Sequence, residues 1–137
     1  MSLVVVRLRD YTLDRGKYID LTSIPMPPQG GKCWVLERKG QFVLERGPGT
    51  LRTIACTSSG SGTLLAIDGL PDENGEIPSD EGHWRQLFKA NPVVMGSWML
   101  DAGFVRGLTI RQYGGQEGTP PIASVVWVPF RGKEKAK

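Results

Sequence analysis

A single histidine, His83, lies between Gly82 and Trp84 at the end of an acidic, glycine-containing stretch. A serine or cysteine nucleophile would have only this imidazole as its base, and no nucleophile motif surrounds it. One histidine also excludes a metal site built from several imidazoles. Carboxylates are more plentiful: Asp68, Asp72, Glu73, Glu76, Asp80 and Glu81 fall within one stretch. Glycosidase chemistry needs two carboxyl groups that face each other across a substrate, and one loop is a poor frame for that. Asp72-Glu73-Asn74-Gly75-Glu76 loosely resembles a calcium loop. It lacks the alternating oxygen ligands and the closing bidentate glutamate of an EF-hand, so it reads as a solvated turn. Gly60-Ser61-Gly62 and Gly114-Gly115 precede neither a helix nor a Gly-Lys-Ser/Thr sequence, which excludes a phosphate loop. Cys33 and Cys56 have no metal-ligand or redox spacing. Each falls in a predicted strand, where a free thiol packs as a small hydrophobe; a disulfide across neighbouring strands is the alternative. The residues point to a non-enzymatic protein with no cofactor and no metal. A small β-barrel enzyme is the reading they support least.

The four tryptophans, Trp34, Trp84, Trp98 and Trp127, have two readings. Exposed and coplanar, they would form an aromatic platform for sugars; on strands they act more often as core or interface anchors. Strands must carry them. The 18 glycines and 10 prolines are too many for a helical bundle and suit many short strands joined by turns. Alternation and turn residues place strands over 32–37, 41–45, 51–57, 63–68, 84–89, 93–100, 104–113 and 122–130, with Arg38-Lys39-Gly40 as a tight hairpin connection. Leu65 and Ile67 then share a face. Val125-Val126-Trp127-Val128 is apolar on both faces, as in a strand buried on both sides or one whose outer face meets a partner. Residues 83–91 are the only helix candidate, and Pro92 would stop it. The expected fold is all-β, an antiparallel β-sandwich or jelly roll with an extended N-terminal arm.

Three regions follow from composition. Residues 1–31 hold one short strand from Val4, a polar aromatic stretch and the stiff Pro25-Met26-Pro27-Pro28 segment, and they read as an arm and linker. Residues 32–130 form the body, and 131–137 a basic tail. The tail holds four of the 17 basic residues and one of the 14 acidic ones, so the rest of the chain is neutral. A nucleic-acid partner would require a basic patch on the folded face, and none is evident. No apolar run is long enough to span a membrane, and the apolar run at the start is too short for a signal peptide.

The second half carries the most informative order. Gly62-Thr63-Leu64-Leu65-Ala66-Ile67-Asp68-Gly69 is a strand that ends in Asp-Gly. Phe104-Val105-Arg106-Gly107-Leu108-Thr109-Ile110-Arg111 follows, then a glycine-containing loop, then Ala123-Ser124-Val125-Val126-Trp127-Val128-Pro129-Phe130. Over about residues 50–130 this layout resembles the jelly-roll decoration, or cementing, proteins of tailed-bacteriophage capsids. The resemblance implies a virion structural protein, made in the host cytoplasm, that binds the outer surface of an assembled capsid. Its partner would be the major capsid protein, whose subunits it would hold together, alone or as a dimer or trimer. Contact candidates are Arg7, Arg9, Tyr11 and Tyr18 of the arm, with Trp127 and Phe130 of the last strand. The alternative is a carbohydrate-binding β-sandwich module of a phage host-recognition device, and other phage structural parts share the same pattern.

Overall fold

The computed structural model describes residues 4–7, 18–22, 31–36, 39–56, 62–77, 84–90, 95–113 and 122–130. Every regular element among them is a strand: β1 (Val4–Arg7), β2 (Ile19–Asp20), β3 (Lys32–Leu36), β4 (Gly40–Arg46), β5 (Gly49–Cys56), β6 (Thr63–Asp68), β7 (Arg85–Ala90), β8 (Gly96–Phe104), β9 (Gly107–Tyr113) and β10 (Ala123–Pro129). The segment at 83–91 that could have been helical contains β7, an outer strand of its sheet.

Two five-stranded sheets result, ordered β1-β3-β10-β5-β8 and β2-β4-β9-β6-β7. The body strands pair first with last: β3 with β10, β4 with β9, β5 with β8 and β6 with β7, all antiparallel. That nesting describes one long antiparallel ribbon rolled up so that β10 also meets β5 and β9 meets β6. This is the jelly roll, a sandwich whose connections pass from sheet to sheet. The hairpin expected at Arg38-Lys39-Gly40 therefore does not pair its own strands, because β3 and β4 lie in opposite sheets. A turn signal reports a chain reversal, and a reversal serves equally as a corner between sheets.

Alternation fills the space between the sheets. Lys32, Trp34 and Leu36 of β3 point inward beside Ala123, Val125 and Trp127 of β10. Trp34 stacks obliquely on Phe42 at 4.7 Å between ring centroids, a geometry that favours edge-to-face contact. Full burial of each such side chain contributes about 1.5–3 kcal/mol. A bulge at Leu87 breaks the β6–β7 register, so Leu87 and Phe88 both pack against the core.

The N-terminal region departs from expectation. β1 adds to β3 in parallel and β2 adds to β4 in parallel, one to each sheet. Tyr18, Ile19 and Leu21 are buried, the last completely, and Ile19 and Leu21 belong to the core cluster. Residues 4–7 and 18–22 are thus built into the sandwich rather than held apart from it, and the division at residue 31 does not mark where the core begins. Two-residue β2 is too short for periodicity to reveal. The rest of the expected arm and the tail at 131–137 lie outside the described residues.

Candidate functional site

The two sheets present different outer faces. On the second sheet, Val43, Thr109 and Ile67 stand in one row across β4, β9 and β6, and all three are buried although they point away from the core. The segment after β6 covers them. The Thr109 hydroxyl donates to the Gly69 carbonyl at 2.7 Å, and the Gln41 amide donates to the Gly75 carbonyl at 2.7 Å. Leu65 and Ile67 do share a face, beneath this segment. Asp72 holds the segment in shape: its side-chain oxygen accepts from the backbone N–H groups of Asn74 and Glu76. Loop closure therefore engages Asp72 at Oδ1.

The first sheet has no such cover among the described residues. Cys33, Val126, Thr53 and Met99 form one transverse row on its outer face, and Val35, Ser124, Ala55 and Ser97 form the next. None is charged. In β3, β5, β8 and β10 the only charged residues are the buried Lys32 and the pair Arg52 and Asp101. Arg52 and Asp101 sit where the β5–β8 register slips and bridge each other at 3.2 Å, with Asp101 at φ 46°. Met99 is 84% exposed at the rim of this face, and Met95, just before β8, is exposed as well.

Inside, Lys32 and Trp127 are neighbours in register, and both reach Glu45. The Lys32 ammonium lies 3.3 Å from Oε1, and the Trp127 indole N–H donates to the same atom at 2.9 Å. Trp127 is completely buried and Tyr18 nearly so, which corrects their assignment as partner contacts: both are part of the packed interior. An indole on a strand apolar on both faces can turn either way, and here its N–H finds a carboxylate inside. Phe130 is 57% exposed, as a contact residue must be. Arg7 is placed by its backbone opposite Val35; Arg9 and Tyr11 lie outside the described residues. Sequence reasoning missed the outer-face rows, whose signal was the lack of charge at alternate positions of four separate strands.

The tryptophans divide as well. Trp34 and Trp127 are core, and Trp98 packs on Phe88 at 5.2 Å where β7 and β8 close the sandwich edge. No platform of coplanar indoles forms from these three. The thiols also sit apart, because Cys56 points into the core while Cys33 stands on the outer face of the same sheet. Both are free, and burial pushes both thiol pKa values up.

A second concentration of polar groups surrounds Asp68, the completely buried residue that ends β6. Its carboxylate accepts from the backbone N–H groups of Val105, Arg106 and Gly107 at 3.0, 2.7 and 3.3 Å. These donors form the corner between β8 and β9. Gly107 has a φ of 155°, and a Cβ there would lie 2.5 Å from Leu70 and 2.7 Å from the Glu45 carbonyl, so only glycine fits. The Arg85 and Arg106 guanidiniums approach Asp68 less closely, at 3.5 and 3.8 Å. Beside them opens a cleft of about 430 Å³ lined by Trp84, Arg85, Gln86 and Arg106.

No protein-family profile matches the chain, and no curated protein is significantly similar to it.

Proposed function

We propose that this chain is a structural protein of a tailed-phage virion that binds the outer surface of an assembled capsid and cements its major capsid protein subunits. The observation that carries the reading is the outer face of β3, β10, β5 and β8, which is uncovered among the described residues and whose two central rows hold no charged residue in these four strands. Centres of protein interfaces are depleted in charge, with charged groups left to the rim. This face matches that anatomy: valine, alanine, serine and threonine in its centre, Met99 at its rim and the Arg52–Asp101 pair at one side. The class of partner comes from the resemblance over about residues 50–130, and the jelly roll is the body that resemblance implies. Burial of Trp34 and Trp127 also favours this reading over the carbohydrate-binding module, which needs several indoles in the open.

Cementing follows physically from binding only the assembled state. A ligand of that state stabilises it by mass action, and many repeated joints turn modest single affinities into a large total. The test is co-sedimentation with empty tailed-phage shells stripped of their own decoration protein, followed by heating. Saturable binding at a fixed ratio to the major capsid protein, with a higher disruption temperature, is the expected result. Protein left in the supernatant at micromolar concentration, with no change in disruption temperature, overturns the reading.

A further inference from the structure

We infer that the line of Pro48, Val105 and Phe130 at one end of the sandwich anchors the capsid contact, with the Phe130 ring entering an apolar pocket of the shell protein. The inference rests on the capsid reading and extends its footprint from the middle of the first sheet to the end of the molecule. Register places the three residues side by side. Pro129 pairs with Gly49, and Gly49 with Phe104, where β10 and β8 end and β5 begins. One step further, the Phe130 backbone N–H donates to the Pro48 carbonyl at 2.9 Å, and the Gly47 N–H donates to the Arg106 carbonyl at 3.2 Å. Pairing then resumes between Arg46 and Gly107. Pro48 therefore stands opposite Val105 in an unbroken register. Phe104 is buried in the core, so alternation turns the next residues outward. All three are exposed, Val105 by 66%.

The line continues the face that carries the capsid reading. Val128, Thr50 and Gly103 form the row between it and Cys33, Val126, Thr53 and Met99, and none of these residues is charged. Arg52 and Asp101 interrupt only the β5–β8 side. Along β10 the outer face thus runs from Ser124 through Val126 and Val128 to Phe130 without a charge. Size calls for the continuation. With strands about 4.8 Å apart and residues about 3.4 Å apart along each, one residue covers roughly 33 Å² of a sheet face. The two central rows then offer roughly 260 Å² in projection, well below the about 800 Å² that a stable interface takes from each partner. The Val128 and Phe130 rows raise the projected area to roughly 460 Å². They also supply an aromatic side chain, the type enriched at interface centres. The frame beneath the ring is ordered in advance. Proline fixes φ at Pro48, and the Asp68 carboxylate holds the N–H groups of Val105, Arg106 and Gly107. Little chain freedom is therefore lost when a pocket closes on the ring.

The test is a concentration series of co-sedimentation with stripped tailed-phage shells, run on the parent chain and on single variants. Phe130→Ala should weaken binding at least about tenfold, and Val105→Ser about threefold. Tyr113→Ala removes an exposed ring at the far end of β9 and should bind within about twofold of the parent. Phe130 and Val105 are both more than half exposed, so each variant should melt within about 3 °C of the parent. Val105→Ser carries the comparison if Phe130→Ala melts early. Parent binding that survives both substitutions overturns the inference and leaves cementing standing. Equal loss in Tyr113→Ala overturns it as well, because the line is then not the anchor. A parent chain that stays in the supernatant overturns the inference and the capsid reading together. Analytical ultracentrifugation of the chain alone tests the remaining occupant: a dimer that Phe130→Ala converts to monomer assigns the line to a second copy, which also overturns the inference.

Discussion

Asp20 shows how a single side chain holds the N-terminal segment to the sandwich. Its carboxylate takes the Arg46 guanidinium at 2.8 Å and accepts from both the Thr22 hydroxyl and the Thr22 backbone N–H. Burial alone would raise its pKa, but the hydrogen bonds from Thr22 and Arg46 and the Arg46 charge outweigh burial and hold it below the ordinary 3.8. A lowered folded-state pKa contributes stability above the ordinary value and loses it as pH falls through the lowered one. Asp20→Asn should therefore lower stability at pH 7 by about 0.5–1 kcal/mol, a modest figure because Arg46 is partly exposed and solvent screens the pair. The gap between variant and parent should close as pH drops below 3.8. Urea midpoints at pH 7, 4 and 2.5 measure it, and a gap that stays constant across that range removes Asp20 from the account of acid stability. At this scale the sequence was least informative. Asp68 was visible as one carboxylate in an acidic stretch, yet its partners lie 37–39 positions away. Only the rolled chain brings them together.

Strands were far more legible than side-chain roles. The eight body strands fall close to where alternation and turn residues placed them, because each buries one face and so carries a period of two. Phe104 is an informative miss: it ends β8 rather than opening β9, since the two-residue corner Val105-Arg106 contains neither glycine nor proline. The other miss is β2, and its cost is testable. Tyr18, Ile19 and Leu21 each bury an apolar side chain worth about 2 kcal/mol, and β1 and β2 supply a whole strand to each sheet. Deleting residues 1–24 should cost more than about 5 kcal/mol, a large share of what a domain possesses. Loss of cooperative thermal unfolding and of near-ultraviolet circular dichroism is the expected outcome. A truncated chain that melts within about 5 °C of the parent would return these residues to the status of a detachable arm.

The rolled ribbon, taken as a whole, makes the two outer faces unequal and so gives the molecule a direction. Only one link, between β6 and β7, joins strands that pair with each other, and it is the long one. Its length lets it fold back over the second sheet and bury Val43, Thr109 and Ile67. The other connections pass between the sheets, and among the described residues none lies across the first. If the capsid reading is right, attachment therefore belongs to one face, and a charge placed there should act differently from one placed opposite. Met99→Glu puts a carboxylate at an 84% exposed position, where the fold loses little. Desolvating that carboxylate against a partner is costly, so binding to stripped shells should weaken by about tenfold or more. Lys89→Glu changes charge by more, but it lies on the outer strand of the second sheet, in the row of Gln41, Arg111 and Leu65. It should leave shell binding within about twofold of the parent. Equal loss in both variants would mean that net charge, not the first-sheet face, governs attachment. Loss only in Lys89→Glu would move the contact to the opposite side while leaving cementing itself intact.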